Sequence, residues 1–265
     1  MSERVQKVLS QWGIASRRKA EKMILAGRIQ INGHTANLGD KVDLTTDVLC
    51  VDGKLIEVSD RPQLLYLLLN KPPGVVSTCF DPQNRLTVID LLSKDIQKGT
   101  GIHPVGRLDF ASSGALILTN DGKLTLGLTH PRYHLPKTYC VELNYVPKNK
   151  DLVAWRKGIM LDGKKTLPAK VKSIESDISG KTIEIILTEG RNRQIRRVAE
   201  KLGYQVKMLH RLAIGSITLN SFGQNNLSQG KYRHLQSAEI SFLKNSFNIQ
   251  SSKVAAHPGG AVYDK

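Results

Sequence analysis

Three groups of residues in this chain carry side chains able to do chemistry. The first lies in the segment His103–Gly122, where Asp109 sits within Gly-Arg-Leu-Asp-Phe-Ala-Ser-Ser-Gly, a loop of mostly small residues. The apolar run Ala115–Leu118 and the turn signal Asn120-Asp121-Gly122 follow, so the segment reads as loop, strand, turn. A carboxylate on a loop anchored by a buried strand can be aimed into a cleft. The same Asp could instead cap an Asx turn and pair with Arg107. The second group is Glu189-Gly-Arg-Asn-Arg-Gln-Ile-Arg-Arg-Val-Ala-Glu200, where Ile195, Val198, Ala199 and Leu202 give a helix its buried side. Arg193 and Arg197 then point outward and Arg196 lies nearer the core boundary. A guanidinium there can face a carboxylate, lower its pKa and hold it ionised as a nucleophile; a solvated basic helix is the other reading. The third is the alternating strand Lys137-Thr-Tyr139-Cys-Val, whose tyrosine on its own reads as core or interface filler.

Other chemistries find no residues. Gly99-Thr-Gly101 lacks the third glycine of a dinucleotide loop, and neither a phosphate-binding Gly-x-x-x-x-Gly-Lys nor a Gly-x-Ser-x-Gly elbow occurs. His130 and His134 are four apart, but Pro131 and Pro136 keep them off one helical face. The three cysteines, Cys50, Cys79 and Cys140, form no Cys-x-x-Cys pair, so they read as small core side chains in a reducing compartment. No metal site and no cofactor are expected.

The charge balance narrows the partner. Of 265 residues 39 are Lys or Arg and 23 are Asp or Glu, a formal charge of +16 that favours a polyanion. Nucleic acid leads over an acidic membrane surface, because no basic amphipathic helix carries aromatic anchors. No apolar run approaches the roughly 18 residues of a membrane span, and the first residues lack a signal peptide's apolar core. A soluble, cytoplasmic protein is expected, or one of an organellar stroma if encoded for an organelle.

The elements that must position these groups divide into two units. In residues 1–60, Val5, Val8 and Leu9 mark a short helix, and Ser16 caps a second through Ala20, Met23 and Ile24 to Gly27. Strands are expected at 28–33, 41–44, 48–51 and 55–58. Residues 1–34 carry seven Lys or Arg against two acids, whereas 35–60 carry two against six. Arg17, Arg18 and Lys19 occupy the first turn of a helix, where the macrodipole disfavours cations by about 0.3–1 kcal/mol each, which suggests a compensating contact with phosphate. Beyond a linker at 59–62, strands are expected at 64–69, 114–119, 137–143, 169–174, 181–187, 205–211 and 214–219. Helices are expected at 86–92, 122–128, 152–158 and 192–202. Strands follow one another without βαβ alternation, which predicts an α+β fold with a mixed, mostly antiparallel sheet over 61–244. Residues 245–265 read as a flexible tail.

Taken together, Gly-Arg-Leu-Asp-x-x-Ser-Ser-Gly-x-Leu-Ile-Leu-Thr-Asn-Asp-Gly at 106–122, Lys-Thr-Tyr at 137–139 and Glu-Gly-Arg-Asn-Arg-Gln-Ile-Arg-Arg at 189–197 resemble the three signatures of the ribosomal small- and large-subunit RNA pseudouridine synthases. Asn-Lys-Pro-Pro-Gly at 70–74 resembles that family's opening loop, and residues 4–50 resemble an S4-type RNA-binding domain. The resemblance spans about residues 3–240. It implies cofactor-free isomerisation of a uridine in ribosomal RNA, with Asp109 as the nucleophile that forms a covalent intermediate, Tyr139 stacking on the base and assisting proton removal from its carbon 5, and Arg196 pairing with Asp109. The target uridine must leave the base stack. Arg107 would fill the vacated space, and Arg17, Arg18, Lys22, Arg28, Arg191 and Arg193 would hold RNA, chiefly through phosphates. Large-subunit RNA, naked or in a subunit precursor, is the expected substrate, with small-subunit RNA or a non-catalytic assembly role as alternatives; the protein is expected to be a monomer.

Overall fold

The computed structural model describes residues 2–130, 134–174, 177–219 and 226–255. In the N-terminal unit β1 (Glu3–Arg4) leads into helix α1 (Val5–Gln11), and α2 (Arg17–Leu25) starts where the Ser16 hydroxyl accepts the Lys19 N–H. Strands β2 (Ile29–Ile31), β3 (His34–Thr35), β5 (Leu49–Val51) and β6 (Lys54–Ile56) form an antiparallel sheet in the order β3-β2-β5-β6, while β4 (Lys41–Val42) pairs with β1. Val5, Leu9, Ala20, Ile24, Ile29 and Leu49 fill the interior between helices and sheet.

A nine-stranded sheet organises the rest. Its strands are β7 (Tyr66–Lys71), β8 (His103–Pro104), β9 (Ser113–Thr119), β10 (Lys137–Leu143), β13 (Lys170–Ser173), β14 (Thr182–Leu187), β15 (Val206–Ile214), β16 (Ile217–Thr218) and β17 (Tyr232–His234). The small hairpin β11 (Met160–Leu161) and β12 (Lys164–Lys165) stands apart. The path runs β13-β14-β10-β15-β9-β7-β17, with β16 on β15 and β8 on β9. Every pairing is antiparallel except β15 with β9, where two antiparallel halves meet. The α+β class with a mixed, mostly antiparallel sheet is therefore as expected from the strand pattern.

The continuous apolar runs of β7 and β9 follow from burial on both faces. Leu68 and Ile117 enter one core, with helices α4 (Gly122–Thr129) and α7 (Ser237–Ala255) over it. Leu67, Leu69, Leu116 and Leu118 enter the other, beneath α3 (Lys94–Gln97). Each such side chain, almost wholly removed from water, contributes roughly 1.5–3 kcal/mol. Helices α5 (Asn149–Lys157) and α6 (Gln194–Lys201) cover a third core built on β10 and β14.

Two expectations differ. Residues 86–92 are turns rather than a helix, although Val88, Ile89 and Leu92 are buried. Asp90 accepts both the N–H and the hydroxyl of Thr87, and this local closure outcompetes helical pairing. Helix α7 continues past Asn245 into the segment expected to be a tail, because Leu243 is buried and Ile240, Phe242 and Phe247 pack on the α4 core; residues 256–265 lie outside the described residues. Strands β8 and β17, too short to show a period, had no sequence signal.

Candidate active site

The parallel junction sets the site. Across it Tyr139 on β10 faces Arg211 on β15, which faces Gly114 on β9. Three strands at about 4.8 Å spacing thus bring Tyr139 within one cleft of the loop that precedes β9. Gly114 is required there: its φ is +109°, and a Cβ would stand 2.3 Å from the Arg211 carbonyl oxygen. The Asp109 loop can enter the sheet at this point only without a side chain.

Asp109, half-buried, stands in a cavity of about 420 Å³ whose wall includes Arg107, Lys137, Tyr139, Arg193 and Arg211. That volume suits a nucleotide-sized ligand. Among the described residues five cationic side chains and two carboxylates, Asp109 and Glu189, line it, and Glu189 is occupied: it accepts from Arg191, Gln194 and the Leu167 N–H. Tyr139 is half-buried between two of the cores and lines the cavity. Arg107 is exposed at the wall.

The loop is held from behind by Lys71. Its ammonium, fully buried at the end of β7, donates to the carbonyls of Pro72 at 3.0 Å, Asp109 at 3.2 Å and Ser112 at 2.8 Å. Burial pulls its pKa down to about 8, with Asp109 opposing and Arg211 adding to the fall. Ser77 clasps Leu108 through both backbone groups, and the Gly74 N–H donates to the Phe110 carbonyl at 2.8 Å. Arg211 is buried with Nε donating to the Ala115 carbonyl at 2.6 Å and Nη2 without a partner. Burial, reinforced by Arg211, lowers Lys137 to about 8.

The arginine cluster is arranged differently from its sequence reading. The cation on the Asp109 carboxylate is Arg193, Nη1 to Oδ2 3.9 Å, from the residue that caps α6 in the left-handed conformation, φ +47°. Arg196 is half-buried and grips the loop backbone instead, donating to the Ala111 carbonyl at 3.3 Å and the Ser112 hydroxyl at 3.4 Å, and to the Val206 carbonyl at 3.1 Å. Its position one turn into the helix carries the guanidinium beneath the loop rather than to its open side. Arg191 is consumed by the carbonyls of Lys164 and Lys165 and by Glu189, which holds the turn before α6. Arg28 is likewise engaged, bidentate on Asp52 at 2.6–2.7 Å in the hairpin turn. Arg17, Arg18 and Lys22 are exposed on α2. Lys71, Lys137 and Arg211 escaped a sequence reading; a lysine closing the apolar strand Leu65–Asn70 was the available signal.

Residues 65–201 match the family model described as RNA pseudouridylate synthase, and residues 3–49 match the S4 domain. The first match spans more than half of the chain. This protein belongs to the RNA pseudouridylate synthase family. The synthase is 38% identical over 245 residues to "Ribosomal large subunit pseudouridine synthase B" of Bacillus subtilis, covering 91% of this chain and 96% of that one. It is 35% identical over 266 residues to the protein of the same name in Pseudomonas aeruginosa, covering 98% of this chain and 65% of that one. A solved pseudouridylate synthase superimposes with a TM-score of 0.64 at 30% identity, over 91% of this chain and 99% of that chain. The synthase is thus an RNA-modifying isomerase with an S4 domain. Among its described residues no helix is long and apolar enough to cross a membrane, and no group of three His, Cys, Asp or Glu side chains could hold a metal ion.

Proposed function

We propose that this synthase converts one uridine of large-subunit ribosomal RNA to pseudouridine, with Asp109 as the nucleophile. In that reaction the bond from N1 of uracil to C1′ of ribose breaks, a bond from C5 to C1′ forms, and one proton passes from C5 to N1, with no change of oxidation state. Asp109 forms a covalent bond with the target nucleoside while the base is detached and turned. Tyr139 stacks on the base and assists removal of the C5 proton. A closed cavity is needed so that the loose base cannot diffuse away.

The observation that carries this reading is the convergence of Asp109 and Tyr139, thirty residues apart in sequence, on one cation-lined cavity of nucleotide size. The roles of the arginines follow from their partners: Arg193 sets a positive charge beside the Asp109 carboxylate and Arg196 fixes the loop that carries it. Arg107, exposed at the wall, fills the space left in the stack by the flipped uridine. Arg17, Arg18 and Lys22 on α2 hold RNA phosphates away from the site. The names of both relatives support the large subunit as the source of the substrate.

Pseudouridine mapping in ribosomal RNA after incubation with wild type and with Asp109→Asn tests the proposal. A single new site in large-subunit RNA with wild type and none with Asp109→Asn is expected. Modification confined to small-subunit RNA would reassign the target, and no new site on any precursor or assembled subunit would leave an RNA-binding assembly factor.

A further inference from the structure

Asp109 and Phe110 are neighbours with opposite surroundings. The carboxylate lines the cavity, whereas the next side chain turns out of it and leaves half of its surface to solvent, 50% exposed. Phe110 is one of two exposed phenylalanines among the described residues, the other being Phe80. Its position is not loose: the Phe110 carbonyl accepts the Gly74 N–H, and Asp109 beside it is held through the carbonyl that Lys71 binds.

One face of the Phe110 ring is already occupied. The Arg85 guanidinium lies over it, 6.0 Å from the centroid. Arg85 is in turn fixed by Asp81, whose buried carboxylate accepts Nη2 at 2.6 Å and Nε at 3.0 Å, so its charge is largely met and its plane is set. Residues 78–87 that carry this pair form a loop closed at its neck by Val76, which accepts the Val88 N–H and donates to the Leu86 carbonyl. The same loop exposes Phe80 and Leu86, at 74% and 50%. The result is a rigid apolar shelf with a guanidinium backing, attached directly to the nucleophile loop.

We propose that Phe110, backed by Arg85, is the stacking platform for the base next to the target uridine in the RNA strand. This inference rests on the enzyme acting on a flipped uridine. Once that nucleotide enters the cavity, its two neighbours, each one phosphodiester away, both lose a stacking partner; Arg107 takes up one of them and leaves the other, and Phe110 is one Cα step, about 3.8 Å, from Asp109. An aromatic face offers the missing partner without regard to base identity, and a guanidinium on its far side strengthens it. A substrate base fits this shelf better than a protein partner, because the cavity beside it is lined by five cationic side chains and the shelf is contiguous with the catalytic loop.

The test uses the full chain and a stem-loop RNA containing the uridine that wild type is first shown to convert. The flanking nucleotide on either side is replaced by 2-aminopurine, whose fluorescence is quenched by stacking. Binding of wild type is expected to quench one of the two positions, Phe110→Tyr to do the same, and Phe110→Leu, which keeps an apolar side chain but no ring face, to leave that position bright. In steady state Phe110→Leu is expected to raise KM about tenfold while kcat stays within about threefold, at an unchanged melting temperature. Equal quenching and equal KM for Phe110→Leu and wild type would overturn the platform, and so would a loss confined to kcat. Either result leaves the isomerase reading standing, since wild type has already converted the same RNA.

Discussion

The Arg193 guanidinium stands 3.9 Å from the Asp109 carboxylate, reached from a backbone in the left-handed region at the start of α6. Arg196, one turn later, holds the loop by the Ala111 carbonyl and the Ser112 hydroxyl instead. Charge and position are thus supplied by two different arginines, and they should be separable.

Arg193→Ala removes a pair that is half exposed, so a stability change below about 1 kcal/mol is expected. Arg196→Ala strips a half-buried donor from the carbonyls of Ala111 and Val206, which should cost about 1–3 kcal/mol. Single-turnover rates should fall for both, and the melting temperature for Arg196→Ala only. The opposite pattern in melting would show that the loop is held elsewhere.

Lys71→Met is the stronger structural test. The substitution preserves the apolar stem but leaves the carbonyls of Pro72, Asp109 and Ser112 without their donor in a dry site. A loss of at least about 2 kcal/mol in urea unfolding is expected, with a parallel loss of turnover. A variant as stable and active as wild type would exclude Lys71 as the anchor of the Asp109 loop.

Lys137 makes a pH-dependent contribution with a definite sign. Burial and Arg211 lower its folded pKa to about 8, while the unfolded chain keeps an ordinary lysine near 10.5. Between those values the unfolded state binds the extra proton, so this group's contribution to stability rises with pH across that window and is flat below it. Melting temperatures of wild type should therefore gain on those of Lys137→Met between pH 8 and 10.5. A difference that stays constant with pH would mean that Lys137 titrates normally.

The basic face of α2 should be visible in salt. Replacing Arg17, Arg18 and Lys22 by Ala removes three exposed cations, which should weaken binding to ribosomal RNA and reduce the slope of log K against log salt by about 2. Arg28→Ala should change that slope less, because its guanidinium is already bound to Asp52. Filter binding at several salt concentrations measures both.

What the chain states locally was legible in it. Apolar runs at 64–69 and 115–118 announced strands buried on both faces, Ser16 announced the start of α2, and three motifs in order singled out Asp109 and Tyr139 as candidates. These signals depend on neighbours a few residues apart, which a sequence displays directly. The turns at 86–92 defeated an apolar period because one acid, Asp90, closed them first. Helix α7 showed little in the sequence because its apolar residues stand in an otherwise polar composition.

The parts of the site decided by tertiary structure are those that depend on where two distant segments meet. That Lys71 holds the nucleophile loop, that Arg193 and not Arg196 reaches Asp109, and that Arg28 and Arg191 are engaged within the protein all follow from side-chain geometry across the sheet. A guanidinium's reach is several ångströms, and one helical turn redirects it from the open side of a loop to its underside. Residue type and spacing determined which groups this protein brings to an RNA uridine; the parallel junction of β9 and β15 decided which of them touch.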